Sequence, residues 1–120
     1  MKKNTVVLGA SENPERYSFL ATQKLAMHQH PVTAIGIKAG TIGTTPIITE
    51  HLPIDNVDTV TLYLSPANQT AYYDYILSLH PKRLIFNPGT ENKDLAILAE
   101  ANGIEPIEAC TLVLLSTGQY

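Results

Sequence analysis

The residues with the clearest capacity for chemistry form a short polar segment after the first apolar run of the chain. This segment, residues 9–18, reads Gly-Ala-Ser-Glu-Asn-Pro-Glu-Arg-Tyr-Ser. Phosphate groups are bound by such features: a glycine that lets the ligand approach the backbone closely, hydroxyl groups, an arginine and the start of a helix. However, Ser11 and Pro14 stand where the motif Gly-x-Gly-x-x-Gly has its second and third glycines. The spacing therefore leaves two interpretations open: a phosphate-binding loop, or an ordinary turn between a strand and a helix.

A lysine follows the second apolar run. NAD-binding folds place an acidic residue about 20 residues beyond the glycines, where it binds the ribose hydroxyls. Here the run ends at Lys38, and no Asp or Glu occurs between Glu15 and Glu50. A cation at this position suits a ligand that carries a phosphate on its ribose, as NADP and coenzyme A do. The alternative is a solvated loop lysine.

The four histidines and the single cysteine do not form a metal or catalytic pattern. His28 and His30 are two residues apart at a helix end and point to different sides, while His51 and His80 are isolated. Cys110 has apolar neighbours, which is typical of a buried, inert thiol. We predict no metal site and identify no catalytic residue, because no carboxylate pair or nucleophile with a base can be assembled; whether the chain is an enzyme stays open.

Short β-branched runs alternate with helical patterns along the chain. Strands are predicted at residues 5–8, 32–37, 47–48, 59–64, 83–86 and 104–107, with a flexible loop at 40–46. Helices are predicted over about 18–29, after a Ser65 N-cap with Pro66 at the first position, and around 95–99 before a C-terminal Gly103. We therefore predict an α/β fold in which residues 1–120 form one domain: a Rossmann-like, open, mainly parallel sheet of about five to six strands with helices on both faces.

In such a sheet, ligands bind beyond the carboxyl ends of the strands, where the strand order reverses. The loops that meet there are predicted at residues 9–17, 38–45, 64–68 and 87–91.

Composition excludes several classes of function. The chain has 120 residues, a formal net charge of −3 and no long run of Lys or Arg. Nucleic-acid binders need a basic face, so we predict no nucleic-acid partner. No stretch reaches the ~20 apolar residues that span a bilayer, so we predict no membrane partner. One cysteine excludes an internal disulfide and suits a reducing compartment, so we expect a cytoplasmic protein.

Several segments resemble the small coenzyme A-binding proteins related to the CoA domain of succinyl-CoA synthetase. That family begins with a strand and a Gly-Ala-Ser-x-Asn-Pro-x-Arg loop with a serine near the helix start, and residues 9–18 match this pattern. Further similarity lies in Val57-Asp58-Thr59-Val60, Asn87-Pro88-Gly89-Thr90, Ala101-Asn102-Gly103-Ile104 and Cys110.

The chain also departs from the family pattern. The family usually has Asn-Pro where this chain has Lys38-Ala39-Gly40, and arginine near Ser65-Pro66, where this chain has none. Asn87 stands where the family often has Gln, and His30-Pro31 replaces a usual glycine after the first helix.

The resemblance implies coenzyme A or an acyl-CoA as the ligand, and it implies a role for each matching residue. Diphosphate contacts are implied for Gly9, Ala10 and Ser11, assisted by Arg16 and Ser18, with Asn13 in the same segment. An adenosine-side contact is implied near Lys38. Pantetheine-side contacts are implied for Pro66, Asn87, Pro88, Gly89 and Thr90.

We therefore predict a stand-alone binding domain for coenzyme A or acyl-CoA. One alternative is an enzyme component, either an NADP-type reductase fragment or a ligase subunit. A second is an interaction module with a decayed pocket, which the departures at 38–40 and 65–66 favour. The apolar run Thr111–Leu115 either completes the core or pairs with a second subunit, and we expect a shared role in a two-fold homodimer.

Overall fold

The computed structural model describes residues 2–120, which form a single seven-stranded sheet with helices around it. The strands are β1 (Thr5–Leu8), β2 (Val32–Ile35), β3 (Gly40–Ile42), β4 (Thr45–Ile48), β5 (Thr59–Leu62), β6 (Arg83–Phe86) and β7 (Glu105–Glu108). The helices are α1 (Tyr17–Met27), α2 (Pro66–Gln69), α3 (Tyr73–Leu79), α4 (Lys93–Ala101) and α5 (Thr111–Ser116), and a 3₁₀ turn at Thr70–Tyr72 joins α2 to α3.

The strand order is β3-β4-β2-β1-β5-β6-β7. Every neighbouring pair is parallel except β3 and β4. Apart from the edge strand β3, this is the strand order of the Rossmann fold, which runs outward from the first strand in both directions. The predicted Rossmann-like α/β fold is confirmed, and the point where the order reverses lies between β1 and β5.

The sheet has more strands than the five to six predicted, because residues 40–46 are not a flexible loop. They contribute an antiparallel hairpin in which Ile42 pairs with Thr45. Gly43 has a φ of 61° and is the first of the two turn residues, as in a type II′ hairpin turn. The prediction of a loop here was wrong because the turn signals Gly40, Gly43 and Pro46 outweighed the β-branched residues between them.

Side chains from the strands alternate between two buried layers. All four residues of β1 and of β5 are buried, as expected of parallel strands that are covered on both faces. One layer, against α3 and α4, contains Val6, Leu8, Val60, Leu62, Ile76, Leu84, Phe86, Leu95 and Ala99. The other, against α1 and α5, contains Val7, Leu25, Ala34, Ile47, Ile85 and Leu115. The helices therefore cover both faces, as predicted.

At the C-terminal ends of α1 and α4, a residue in the left-handed conformation follows the helix. After α1, Gln29 takes a left-handed conformation with a φ of 65°. Its N–H donates to the Ala26 carbonyl at 2.9 Å, and the His30 N–H donates to the Leu25 carbonyl at 3.0 Å, which is a Schellman motif with glutamine in the usual glycine position. After α4, Gly103 has a φ of 75°, so the predicted C-terminal glycine is confirmed.

The predicted start of α2 is confirmed in part. Pro66 lies in the first turn, but the Ser65 hydroxyl at the N-cap makes no capping hydrogen bond. The N–H groups in the first turn of this short helix therefore donate no hydrogen bond to the Ser65 side chain.

The apolar run near the end of the sequence forms α5, which packs on the sheet. Thr111 and Leu115 are buried, and Val113 is 55% exposed. Beyond α5, Tyr120 folds back over the amino end of β1, where its hydroxyl lies 2.6 Å from the Thr5 Oγ1 atom. The run therefore completes the core of the chain itself, which was one of its two expected roles.

This packing predicts unequal effects for two truncations on α5. Leu115→Ala removes a buried side chain and should lower the free energy of unfolding by about 2–4 kcal/mol. Val113→Ala removes an exposed one from the same helix and should change the free energy of unfolding of a single chain, measured at low protein concentration, by no more than about 0.5 kcal/mol. Urea denaturation followed by circular dichroism measures both, and equal effects would show that α5 does not pack as described.

Candidate functional site

The first loop leaves the sheet at the point where the strand order reverses. The N–H groups of Gly9 and Ala10 both donate to the Ile35 carbonyl at 2.9 Å. Gly9 has a φ of 94°, and a Cβ atom there would lie 2.9 Å from the Tyr63 carbonyl carbon and oxygen. Only glycine fits this conformation and this close approach. Gly9 and Ala10 therefore place the loop between the ends of β1 and β5, while their N–H groups are already bonded to β2.

The next residues hold the loop in shape through their own side chains. Ser11 Oγ accepts from the Asn13 N–H at 3.1 Å, and Asn13 Oδ1 accepts from the Glu15 N–H at 3.0 Å. The Asn13 carbonyl accepts from the Arg16 N–H at 3.0 Å. Ser11 acts here as an acceptor, so its hydroxyl proton remains free to donate, as do the amide protons of Asn13. The loop is therefore preorganised and still has donors for an anion.

Arg16 stands at the N-cap of α1, and its side chain is exposed. Within residues 2–120, its guanidinium group has no hydrogen-bond or ion-pair partner. The first N–H groups of a helix have no intrahelical acceptor, and the helix dipole favours negative charge there. Ser18, two residues further along the chain, is only 3% exposed. Arg16 is therefore well placed for an anionic ligand, whereas Ser18 has little surface to offer.

The segment between β2 and β3 lies against the first loop. A Cβ atom on Gly36 would lie 2.4 Å from the Ala10 carbonyl oxygen, and one on Gly40 would lie 2.1 Å from the Glu12 carboxyl carbon. Between these contacts, Ile37, Lys38 and Ala39 are exposed. The structure thus brings Lys38 to the same edge of the sheet as the first loop.

Asn87, which follows β6, is committed to the interior of the fold. Its Nδ2 donates to Thr61 Oγ1 at 2.6 Å and to the Leu62 carbonyl at 2.9 Å, and its Oδ1 accepts from the Thr111 N–H at 2.8 Å. Because the residue is 2% exposed, its side chain joins β5, β6 and α5 and has almost no surface for pantetheine.

The turn after Asn87 is closed by local hydrogen bonds. The Thr90 N–H and hydroxyl donate to the Asn87 carbonyl at 2.9 and 2.7 Å. The Gly89 N–H donates to Glu91 Oε1 at 2.9 Å, and Gly89 has a φ of 91°. Pro88 and Gly89 are exposed and Thr90 is buried, as is consistent with a rigid turn that presents only its tip. Pro66, at the start of α2, is exposed.

Gln69 is a structural residue of the site that sequence reasoning missed. It is fully buried, and its Nε2 donates to the carbonyls of Leu64 and Thr90 at 2.8 Å each. Its Oε1 accepts from Asn92 Nδ2 at 2.9 Å. One amide therefore joins the loop after β5 to the loop after β6. A signal was present in the sequence: Gln69 precedes the apolar positions 72, 76 and 79 at helical spacing.

The titratable groups at this edge do not form an acid–base pair. Burial raises the pKa of the Tyr63 hydroxyl well above its ordinary value, so the phenol stays protonated near neutral pH. Cys110 is a half-buried free thiol at the N-cap of α5. Among residues 2–120, no three His, Cys, Asp or Glu side chains are grouped to hold a metal ion. The arrangement provides hydrogen-bond donors and cations that can bind a ligand.

A groove of about 380 Å³ lies away from this edge, between α1 and α5. It is lined by Leu20, Lys24, His28, Leu112, Val113, Leu115 and Ser116.

In the described part of the chain, no helix is both long and apolar enough to cross a membrane.

Comparison with known proteins agrees with this architecture. The model of the CoA binding domain family matches residues 3–116. A crystal structure of an uncharacterized protein has a TM-score of 0.97 and 49% sequence identity, and the match covers 100% of this chain and 99% of that chain. No curated protein matches the chain.

Two more distant structures share the fold alone. A hypothetical protein from Pyrococcus horikoshii OT3 has a TM-score of 0.87 at 21% identity, over 97% of this chain and 83% of that chain. A protein from Thermus thermophilus has a TM-score of 0.83 at 13% identity, over 98% of this chain and 91% of that chain.

The contacts of Gln69 predict a strong effect of exchanging its amide for a carboxylate. Gln69→Glu replaces a donor by an acceptor that faces two carbonyl oxygens, so it should lower the free energy of unfolding at pH 7 by about 3 kcal/mol or more. The loss should shrink at lower pH, because protonation of the new carboxyl group restores one donor. Urea denaturation at several pH values measures this.

Asn68→Asp is the matched control, because it makes the same exchange at the exposed neighbouring position. It should have little effect at any pH. A similar loss for both variants would indicate general charge repulsion and not the buried amide.

Proposed function

We propose that this chain, which belongs to the CoA binding domain family, binds coenzyme A or an acyl-CoA as a stand-alone domain, and we assign it no catalytic step. The observation that carries this proposal is the exposed Arg16 guanidinium, which has no partner among residues 2–120, beside the preorganised loop of Ser11 and Asn13. These groups lie at the carboxyl edge of a Rossmann-type sheet, where nucleotide ligands bind. A planar guanidinium can meet two oxygens of a diphosphate at once.

The proposed contacts follow from which side chains are free. Ser11, Asn13 and Arg16 would hold the diphosphate, within a loop that Gly9 and Ala10 place. Lys38 would meet the phosphate on the ribose.

The remaining contacts concern pantetheine and the residues behind the site. The exposed surfaces of Pro66, Pro88 and Gly89 would flank the pantetheine arm. Ser18, Asn87 and Thr90, which are buried, would support the site from behind.

Two alternatives differ in what they need. An NADP-dependent reductase fragment or a ligase subunit would also use Lys38, but it requires catalytic groups from a partner. An interaction module with a decayed pocket requires no intact phosphate loop, and the hydrogen bonds of Ser11 and Asn13 favour an intact one. Native mass spectrometry of the gently purified protein distinguishes these two alternatives from the proposed function, because it would detect retained coenzyme A, NADP or no ligand.

We also propose a two-fold homodimer and a cytoplasmic location. The exposed Val113 on α5 supports the first, because α5 is already anchored and presents an apolar side chain outward. The single free cysteine supports the second, because free thiols suit reducing compartments. Light scattering over a range of protein concentrations tests the dimer, and a constant monomer mass would remove it.

The missing acid after β2 predicts the ligand preference. Coenzyme A should bind at least about tenfold more tightly than NAD, because Lys38 would attract its ribose phosphate and no acidic residue follows β2, where NAD-binding folds hold the ribose hydroxyls. Titration calorimetry measures both affinities. Equal or tighter binding of NAD would remove coenzyme A as the preferred ligand.

The proposed role of Arg16 predicts a loss of affinity without a loss of stability. Arg16→Ala should weaken coenzyme A binding by about 1.5–3 kcal/mol, the range of charge-assisted hydrogen bonds. Thermal unfolding should hardly change, since this exposed side chain makes no contact that holds the fold. Lys82→Ala removes an exposed cation beside the amino end of β6 and serves as the control, with no expected loss of affinity. A less stable Arg16→Ala protein that binds normally would show that Arg16 is structural.

A further inference from the structure

Glu12 connects the first loop to the hairpin at the edge of the sheet. Its Oε2 accepts a hydrogen bond from the Thr41 N–H at 3.0 Å. Thr41 lies in the edge strand β3 and pairs with Pro46 in β4. Edge strands have N–H groups with no neighbouring strand to accept them. The carboxylate therefore satisfies an otherwise free donor of β3 and ties the two segments together.

The segment that carries Lys38 is held at both of its ends. At one end, Gly36 packs so closely on the Ala10 carbonyl that a Cβ atom would lie 2.4 Å from it. At the other, Gly40 leaves room for the Glu12 side chain, which a Cβ atom would meet at 2.1 Å. Only residues 37–39 lie between these two contacts, and all three are exposed. So short a connection leaves Lys38 little freedom to move away from the first loop.

The two anchors differ in how easily they can be lost. The contact at Gly36 is between backbone atoms just beyond the ends of β1 and β2. The hydrogen bond at Thr41 depends on the side chain of Glu12 alone. Without it, no hydrogen bond would hold Gly40 and Thr41 to the first loop, so residues 37–41 would gain freedom to move, while Ile42 stays anchored in the core.

We infer that Glu12 is a positioning residue that holds the Lys38 segment against the first loop and so sets the preference for a ligand with a phosphate on its ribose. This inference rests on the proposed function. Glu12 would not touch the ligand. It would fix the distance between the diphosphate-binding groups and Lys38, so that both can bind one molecule.

Electrostatic repulsion alone predicts the opposite effect of removing Glu12 on coenzyme A binding, so an experiment can distinguish the two. Coenzyme A is a polyanion, and the Glu12 carboxylate lies in the loop that would bind its diphosphate. If charge were its only effect, removal of Glu12 would strengthen binding. If Glu12 positions Lys38, its removal weakens binding, and it does so mainly for ligands that carry the ribose phosphate.

The test compares coenzyme A with dephospho-coenzyme A, which lacks only that phosphate, by titration calorimetry. The wild-type chain should prefer coenzyme A. In Glu12→Ala, the ratio of the two affinities should fall by at least about tenfold, as expected for loss of one charge-assisted contact. Glu12→Gln keeps a side-chain oxygen that can accept from Thr41, so it should retain the wild-type ratio within about twofold.

Glu15→Ala is the control for charge. Glu15 lies in the same loop, is exposed, and its side chain has no hydrogen-bond partner within residues 2–120. This variant should retain the wild-type ratio. Hydrogen exchange of the ligand-free proteins should show faster exchange of the Thr41 amide in Glu12→Ala than in Glu15→Ala.

The outcomes separate this inference from the proposed function. If the wild type binds coenzyme A but Glu12→Ala keeps the wild-type ratio or binds more tightly, the inference is overturned and the function stands. The same holds if Glu12→Gln loses as much as Glu12→Ala, or if the wild type does not distinguish the two ligands. If the wild type binds neither ligand, the proposed function falls, and the inference falls with it.

Discussion

The close approach of two backbones at the point where the strand order reverses is the constraint on which the site depends. Gly9 ends β1 in a left-handed conformation, and the chain that follows β5 passes so near that a Cβ atom on Gly9 would lie 2.9 Å from the Tyr63 carbonyl. Because the Ile35 carbonyl accepts from both Gly9 and Ala10, the first loop must leave the sheet in one direction. Ser11, Asn13 and Arg16 take their positions from this exit. A larger residue at position 9 would displace all three together.

Two buried side-chain amides fix the loops that follow β5 and β6, as the close contact at Gly9 fixes the loop that follows β1. Gln69 joins the loop after β5 to the turn after β6, and Asn87 joins β5 and β6 to α5. Each amide is paired at both its oxygen and its nitrogen, so neither is left with the desolvation cost of an unpaired polar group, about 1–3 kcal/mol each. These hydrogen bonds fix the loops after β5 and β6 to each other and to the sheet. A ligand would therefore meet a surface that is already ordered.

The sequence predicted the fold better than it predicted the role of each site residue. Continuous apolar runs such as residues 5–8 have few structural alternatives once helical patterns follow them, and this explains why the sheet and its two faces were predictable. The hairpin at 40–46 was missed because its glycines and proline mimic a loop. Residue roles were harder, because hydrogen bonding across the sheet is not local in sequence. Nothing near Asn87 in the sequence indicates that its amide group would be hydrogen-bonded to Thr61 and Thr111.

The charges around the edge indicate what kind of binding this surface can support. The four loops contain two cations, Arg16 and Lys38, and three carboxylates, Glu12, Glu15 and Glu91. Two of the carboxylates accept from backbone N–H groups, those of Thr41 and Gly89, so one ties the first loop to the hairpin and the other closes the turn after β6. Long-range attraction of a polyanion needs a surface of one sign, and this edge does not have one. Affinity for a phosphate-bearing ligand must therefore come from short, directional contacts, whose geometry the acidic residues help to maintain.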